Sequence, residues 1–442
     1  MSFDSVSTDS RSIPPGCLFV ALHGQSYDGH SFVTDALARG ARAALVHRAV
    51  PGAPENLLIH VPDTLRALGD LAAWTRRRHS AMQVVAITGS SGKSTTKELM
   101  ASICAVSYPE PKAVLKTEGN LNNLIGLPIT LLRLNGSERV AVLEMGMNRP
   151  GEITRLSEIA CPDYGLITNI GLAHAEGVGG SIAGVAAAKG ELVRSLNKDA
   201  TMVVNVDDPW VRSVTADFAG RRVTFGAGGE VQSHRIRDLG FDGIAFDLHV
   251  AGSSAAVRLR LVGAHNVSNA LAAAALGHAM GFRLEVIVAG LERTVGMSMR
   301  MEVVRLRNGV TVINDAYNAN PSSVEAALEA LQRFSGRSVV VLGEMRELGA
   351  ESRRAHQRIG EHVASLGIDQ VILLGPETEH IAAGARAGGI HPSRIVRCNS
   401  HAEAAAQIVA QWRVGDTVLI KGSHSMRMEE IVRLLESAGN VN

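Results

Sequence analysis

A lysine followed by three hydroxyl residues at the mouth of a glycine turn is the first place where this sequence can do chemistry. The run Val84-Val85-Ala86-Ile87-Thr88-Gly89-Ser90-Ser91-Gly92-Lys93-Ser94-Thr95-Thr96 reads as an apolar strand, a turn and the opening of a helix. Two glycines let successive backbone N–H groups converge on a phosphate, and the helix N-terminus adds positive potential. Lys93 can then reach the outer phosphates while a hydroxyl of Ser94 or Thr95 ligates Mg²⁺. ATP or GTP is the ligand such a cradle predicts. The loop is shorter than G-x-x-x-x-G-K-[ST], because Ile87 stands where the first glycine would fall.

Other polar groups recur at the ends of apolar runs. Val140-Ala141-Val142-Leu143 ends in Glu144, and an acid at the carboxyl end of a parallel strand beside a phosphate loop is placed to hold Mg²⁺. Thr168-Asn169-Ile170-Gly171-Leu172-Ala173-His174 again leads from a strand to a polar end, which makes His174 a metal or phosphate candidate. Lys189 lies in a small, apolar helical stretch, and by itself reads as a solvent-facing helix lysine. Asn120, Asn122 and Asn123 cluster in one loop and offer amide donors and acceptors to a polar substrate. His265, Asn266 and Asn269 fall on one face at the start of an alanine-rich helix. Further on, Asp315 and Tyr317 follow a strand in Val312-Ile313-Asn314-Asp315-Ala316-Tyr317-Asn318-Ala319-Asn320, with Asp315 suited to ribose hydroxyls. Arg300, just upstream, can reach a γ-phosphate across a cleft if domains close.

The elements that must position these residues follow from periodicity. Short apolar runs at Cys17–Leu22, Ala43–Val46 and Leu57–Val61 alternate with helical stretches, which predicts a small α/β domain over residues 1–80. From Val84 the runs Val84–Thr88, Arg139–Glu144, Tyr164–Thr168 and Ala200–Asn205 alternate with helices, as in a mostly parallel sheet covered on both faces. Residues 221–261 switch to short alternating segments with glycine turns, which predicts an antiparallel ribbon or small sheet appended to that core. The central domain so defined spans 81–297. A second series, Val310–Asn314, Ser338–Leu342, Gln370–Leu374 and Thr417–Ile420, predicts a third, Rossmann-like α/β domain over 298–442.

Composition narrows the classes. The 442 residues exceed one hydrophobic core, and 46% hydrophobic content can supply several. A formal charge of +1 with no aromatic and arginine platform argues against nucleic acid as a partner. Cys17, Cys104, Cys161 and Cys398 lack C-x-x-C spacing, so buried free thiols are expected rather than zinc or disulfides. No charged-then-apolar leader and no membrane-length run is seen, so a soluble, cytoplasmic, monomeric protein is the expectation.

Taken in order, the short Thr-Gly-x-x-Gly-Lys-Ser loop, Gly-Asn-x-Asn-Asn, the strand-end Glu, Asn-Ile-x-x-x-His, Ala-Lys-Gly-Glu, Gly-x-His-Asn-x-x-Asn-Ala and Asp-Ala-Tyr-Asn-Ala-Asn-Pro-Ser-Ser resemble the Mur ligases over nearly the whole chain. Asp315–Ser323, Leu342–Gly349 and Lys421-Gly422-Ser423 resemble the member that adds D-alanyl-D-alanine to UDP-N-acetylmuramoyl-tripeptide. The resemblance implies that Ser10, Arg11, Gln25, Ser26, Tyr27, Asp28 and His30 hold the uridine nucleotide, and that Lys93 and Ser94 hold ATP phosphates and one Mg²⁺. It assigns Glu144 and His174 as metal ligands and Lys189 as a lysine that is carbamylated to serve a second Mg²⁺. Asn266 and Asn269 match adenine-side contacts, Arg300 the γ-phosphate arginine, and Asp315 and Tyr317 the ribose and adenosine side. Lys421 and Ser423, with Glu344 and Arg346, are expected near the dipeptide. Relatives usually carry an additional strand and helix before the segment matched by Ser7–Arg11, so part of the nucleotide-sugar pocket is expected to be built differently.

The implied activity is an ATP- and Mg²⁺-dependent amide ligation through an acyl phosphate. Two rivals share the phosphate loop: a sister amide ligase, such as a folylpolyglutamate synthetase or another Mur ligase, and a nucleotide-driven switch that hydrolyses ATP to change shape. Dependence of ATP consumption on two co-substrates separates the ligases from the switch.

Overall fold

Each of the three series of apolar runs becomes a sheet of its own, with four, nine and six strands. The computed structural model describes residues 2–24, 27–334 and 336–439. The first sheet is parallel in the order β1 (Val6–Ser7), β2 (Leu18–Val20), β3 (Ala43–Val46), β4 (Leu58–His60). Parallel pairing puts the ends of β1, β2 and β3 on one edge, where the segments holding Ser10, Arg11, Tyr27, Asp28 and His30 emerge. Gln25 and Ser26 lie outside the described residues.

The central sheet runs β13-β12-β11-β10-β9-β8-β5-β7-β6. Its strands are β5 (Gln83–Thr88), β6 (Val114–Lys116), β7 (Val140–Glu144), β8 (Tyr164–Ile167), β9 (Thr201–Asn205), β10 (Arg221–Phe225), β11 (Val231–Asp238), β12 (Ile244–Val250) and β13 (Ser253–Leu259). β7 and β9 are buried at every residue, as a sheet covered on both faces requires. One face packs Leu99, Met100 and Ile103 of helix Lys93–Ser107 with the alanines of helix His265–Ala279. The other packs Leu127, Leu156, Val185 and Leu192.

The antiparallel ribbon begins later than the pattern predicts. β10 pairs parallel to β9 because helix Pro209–Thr215 returns the chain across the sheet, and only β11, β12 and β13 run antiparallel. Through the β10–β11 pairing the ribbon continues the central sheet rather than standing apart.

The third sheet has the order β14 (Glu302–Arg305), β15 (Thr311–Asp315), β19 (Thr417–Lys421), β16 (Ser338–Gly343), β17 (Gln370–Leu374), β18 (Ile395–Cys398). All its pairs are parallel except β14 with β15. Neither β14 nor β18 announces itself in sequence, because each is four residues long and carries charge, β14 at both ends and β18 at Arg397. Cys17, Cys104 and Cys398 are buried as expected; Cys161 is only half-buried.

Helix Thr64–Arg78 carries the chain from the first sheet to the second. Asp63 caps it by accepting from the N–H groups of Leu65 and Arg66. At its other end Arg76, 6% exposed, turns into the central domain. Its guanidinium donates to the carbonyls of His79 at 3.0 Å, Ala160 at 3.1 Å and Cys161 at 3.4 Å, and faces Asp163 at 3.5 Å. Removing it strands these acceptors. Arg76→Ala is expected to lower the stability of the central-domain unfolding transition by about 3 kcal/mol, with Arg76→Lys recovering part of it. Denaturant titration followed by tryptophan fluorescence measures this, and a loss below about 0.5 kcal/mol would mean that water replaces the guanidinium without cost.

Candidate active site

The phosphate loop leaves the carboxyl end of β5, the strand whose two neighbours are β8 and β7. Ligands of open α/β sheets collect at such a switch point, where successive connections diverge. Both loop glycines are demanded by close approach. A Cβ on Gly89 would lie 1.8 Å from Thr168 Oγ1, and one on Gly92, at φ 79°, would lie 2.2 Å from Asn269 Oδ1. Asn269 therefore packs on the loop itself. It donates to Asn266 Oδ1 at 2.9 Å, and Asn266 donates to the Val262 carbonyl at 2.8 Å.

Part of the expected cradle is already occupied. Ser90 N–H donates to the Asn169 carbonyl at 3.0 Å and Ser91 N–H to Asn169 Oδ1 at 2.9 Å. Thr168 Oγ1 donates to the Ser91 carbonyl at 2.6 Å. Thr88 is wholly buried, its hydroxyl turned into the sheet without a partner among the described residues. The Ser90 and Ser91 N–H groups are thus bonded within the protein and shape the loop, while both residues still line the cleft. Asn169, in the motif leading to His174, is a loop-forming residue that sequence reasoning passed over; an amide directly after a strand beside a phosphate loop is the signal for it.

Lys93 and Lys189 converge on one atom. Their ammonium groups donate to the Gly89 carbonyl at 2.8 Å and 2.9 Å. Lys189 ends helix Ile182–Lys189 and is 1% exposed, so the solvent-facing reading of this lysine fails. Helix Ile182–Lys189 buries Val185, Ala186, Ala188 and Lys189 and leaves Ala183 and Ala187 exposed, so its small apolar residues mark no inner face. Burial, reinforced by Lys93 and opposed by Glu144, pushes the Lys189 amine well below the usual lysine range. Burial also lowers Lys93, where Glu144 opposes the shift and Arg300 adds to it.

Glu144 closes the other side. Because β7 pairs with β5 in the register Ile87 to Glu144, its carboxylate meets the first helical turn after the loop. One oxygen accepts from Ser94 Oγ at 2.6 Å and the other from Asn122 Nδ2 at 2.8 Å. Thr117, unremarked in the sequence, accepts from Glu144 N–H at 2.9 Å, and the buried Lys97 donates to the Thr117 carbonyl at 2.5 Å. Ser94 and Glu144 are hard oxygen donors side by side. Such a pair fits Mg²⁺, which takes one or two protein ligands and fills its other positions with phosphate and water. Asn123 caps the next turn by accepting from Ile125 and Gly126, and Asn120 lines the open cleft.

The C-terminal domain forms the opposite wall. Arg300 stacks on Tyr317, 3.9 Å from its ring centroid, and donates to Ser94 Oγ at 2.7 Å. Its neighbours Met299 and Met301 hold positive φ, 59° and 52°, which places a strained turn at the domain junction. Asp315 pins that turn, accepting from Met301 N–H at 3.1 Å and from Lys421 Nζ at 2.5 Å. Lys421 is buried and also donates to the Asn318 carbonyl at 2.9 Å. Asn320 reaches the Ser90 carbonyl at 3.2 Å. Ser423 is bonded within its own domain, accepting from Arg346 N–H at 2.8 Å, and Arg346 in turn pairs with Glu344 at 3.2 Å. His174 faces the cleft and packs against Glu347 of the C-terminal domain.

Lys93, Ser94, Glu144, His174, Arg300 and Asp315 line a cavity of about 1040 Å³ between the two domains, with His265 open to it and Lys189 behind its wall. Of the N-terminal residues only Leu65 reaches it among the described residues. The expected uridine residues sit elsewhere, on the edge of the first sheet. Arg11 is exposed and paired with Asp9 at 2.8 Å, Ser10 is half-buried beside it, and Tyr27 is exposed. Asp28 accepts from His30 at its ring nitrogen, 2.7 Å, and its backbone N–H, 3.0 Å; His30 N–H and its ring hold the Asp28 carboxyl well below the usual range, with Arg48 adding to the effect.

Comparison with known proteins places this geometry. A model of the Mur ligase middle domain matches residues 87–277, one of the Mur ligase glutamate ligase domain residues 299–424, and one of the Mur ligase family catalytic domain residues 2–76. The UDP-N-acetylmuramoyl-tripeptide--D-alanyl-D-alanine ligase of Escherichia coli (strain K12) is 38% identical over 443 residues, covering 99% of this chain and 95% of that protein. A crystal structure of MurF from Acinetobacter baumannii superposes with a TM-score of 0.89 at 35% identity, covering 98% of this chain and 93% of that one. The MurF ligase of Thermotoga maritima in complex with ADP gives 0.86 at 28% identity, covering 98% and 97%. With three family domains matched in order and near-full-length identity above one third, the chain belongs to the Mur ligase family.

Proposed function

We propose that this protein is the ATP-dependent ligase that joins D-alanyl-D-alanine to UDP-N-acetylmuramoyl-tripeptide, a step of peptidoglycan precursor synthesis in the cytoplasm. The observation that carries the reading is the meeting of Lys93, Ser94, Glu144 and Arg300 at one cleft, three from the central domain and one from the C-terminal domain. That arrangement supports phosphoryl transfer in a site completed by domain contact, and the near-full-length likeness to D-alanyl-D-alanine ligases supports the choice of substrates.

The chain's own residues do the positioning. The tripeptide carboxylate attacks the γ-phosphorus of ATP, the bond to the β–γ bridging oxygen breaks, and ADP leaves with an acyl phosphate remaining. Lys93 and Arg300 offset the repulsion between the incoming carboxylate and the phosphates. Ser94 and Glu144, with His174, would hold Mg²⁺, which when bound would neutralise phosphate charge. The dipeptide amine then attacks the acyl carbon, its proton is lost to solvent or base, and phosphate departs. Acyl phosphates hydrolyse in water, so walls from two domains protect the intermediate. Asn266 and Asn269 serve the adenine side, Asp315 and Tyr317 the ribose side, and the edge carrying Ser10, Arg11, Tyr27, Asp28 and His30 serves the uridine nucleotide. The dipeptide enters beside Arg346 and Ser423.

Lys189 takes a second role in this reading. Burial disfavours the charged form of Lys189, and the neutral amine is the form that adds CO₂, releasing a proton and leaving a carbamate whose carboxylate would be available to a second Mg²⁺. That would reverse the local charge from positive to negative beside Lys93.

Phosphate release from ATP with Mg²⁺ is expected only when the tripeptide and D-alanyl-D-alanine are both present, with a product heavier by the dipeptide less water in mass spectrometry. Release without either substrate would favour a switch, and ligation of another amino acid would favour a sister ligase. Lys189→Ala is expected to lower turnover by at least about a hundredfold, with partial return on adding formate or acetate. Unaltered turnover would remove Lys189 from the site.

A further inference from the structure

His174 and Glu347 belong to different domains yet meet through two loops of unusual backbone. His174 ends the loop after β8 with φ 56°, and Glu347 lies in the loop after β16 with φ 64°. Neither is glycine, so each conformation costs on the order of 1 kcal/mol, more at Glu347 than at His174, and persists because its surroundings impose it. The two loops are joined in backbone as well as side chain. Glu176 N–H donates to the Glu347 carbonyl at 3.2 Å, and a Cβ on Gly349 would lie 3.4 Å from Glu176 Cα.

The carboxylate of Glu347 packs on His174 Nδ1. Nδ1 is sealed from solvent and has no regularly angled hydrogen bond among the described residues, so this carboxylate is the polar group it has. An Nδ1 facing a carboxylate keeps the ring proton there and leaves the Nε2 lone pair free. The His174 side chain is 26% exposed and lines the cleft that also contains Ser94 and Glu144.

We propose that Glu347 is a positioning residue which fixes His174 as an Nε2 donor toward the cation held by Ser94 and Glu144, so that the cation site is complete only when the C-terminal domain meets the central one. This rests on the reading of His174 as a cation ligand. It gives domain contact a chemical consequence: with the domains apart, His174 loses the carboxylate that sets its tautomer and orientation, and ATP is held with a poorer cation site. Arg300 delivers positive charge to the phosphates from the same domain, so both contributions arrive together.

The test is calorimetric titration of ADP into the full-length protein in EDTA and at a series of MgCl₂ concentrations, for wild type, Glu347→Gln and Phe334→Ala. Phe334 stacks on Phe241 across the same two domains, centroids 4.0 Å apart, and does not touch His174. Glu347→Gln is expected to leave ADP affinity in EDTA and the melting midpoint near wild type, and to raise the Mg²⁺ concentration for half-maximal tightening about tenfold. Phe334→Ala is expected to leave that concentration within about twofold of wild type. An unchanged Mg²⁺ requirement in Glu347→Gln would overturn the role of Glu347 alone, as would an equal rise in Phe334→Ala, which would trace the effect to domain contact in general. No Mg²⁺-dependent tightening in the wild type would overturn the cation reading on which the proposal stands.

Discussion

Two ammonium groups donating to a single buried carbonyl set the electrostatic problem that the rest of the structure answers. Lys93 and Lys189 both end on the Gly89 oxygen, at 2.8 Å and 2.9 Å. A carbonyl has two lone pairs and can accept both, but two buried like charges disfavour each other's charged form. Glu144 balances one of them. The remaining imbalance can be met by deprotonating Lys189, by an anion entering the cleft, or by both. A polyphosphate is such an anion, and its arrival satisfies groups that are already oriented rather than groups that must be rearranged. The sheet order matters because of this: only with β7 and β8 on either side of β5 do Glu144, the Thr168–Asn169 pair and the phosphate loop share one edge.

The C-terminal wall is held by the same kind of coupling between charge and backbone. Arg300 reaches Ser94 from a turn in which both flanking methionines have positive φ. The strain is sustained because the Asp315 carboxylate bonds Met301 N–H on one oxygen and Lys421 on the other, while the Met299 carbonyl accepts from Tyr317 N–H at 3.1 Å. Lys421 and Asp315 lie directly opposite on β19 and β15, so strand register in the third sheet fixes where Arg300 can point. A sheet of the C-terminal domain thereby sets a side chain in the central domain's site.

The strands flanking the site were legible because parallel strands covered on both faces are uninterrupted apolar runs, and a polar residue at their ends stands out. Glu144 and the phosphate loop were found in that way. Lys189 was misread on residues alone, since an alanine-rich helix gives no periodic face to tell inside from outside; burial was set by what packs around it. Thr117 and Lys97 carried no signal because their work is done through backbone atoms of a distant segment. Glu347 could be seen only as part of a motif, for its partner lies 173 positions earlier in the numbering and in another domain. β14 and β18 escaped because four residues that include charge are too few for a period to show.

The internal bonding of the phosphate loop bears on why a ligase fits this chain better than a nucleotide-driven switch. A switch needs a segment that is ordered by the γ-phosphate and released without it. Here Ser90 and Ser91 N–H groups are bonded to Asn169, the Ser91 carbonyl to Thr168, and the Ser90 carbonyl to Asn320, so the loop holds its shape through protein contacts alone. What nucleotide can influence is the meeting of domains, because Arg300, Asn320 and Glu347 come from the other wall. Preorganised donors on one side and a separate domain carrying the remaining charge on the other suit a reaction whose intermediate must be made only when the acceptor can be enclosed with it. In the proposed reaction the same division would keep unproductive hydrolysis slow, since the groups that assist phosphoryl transfer come from both walls of the cleft that encloses the intermediate.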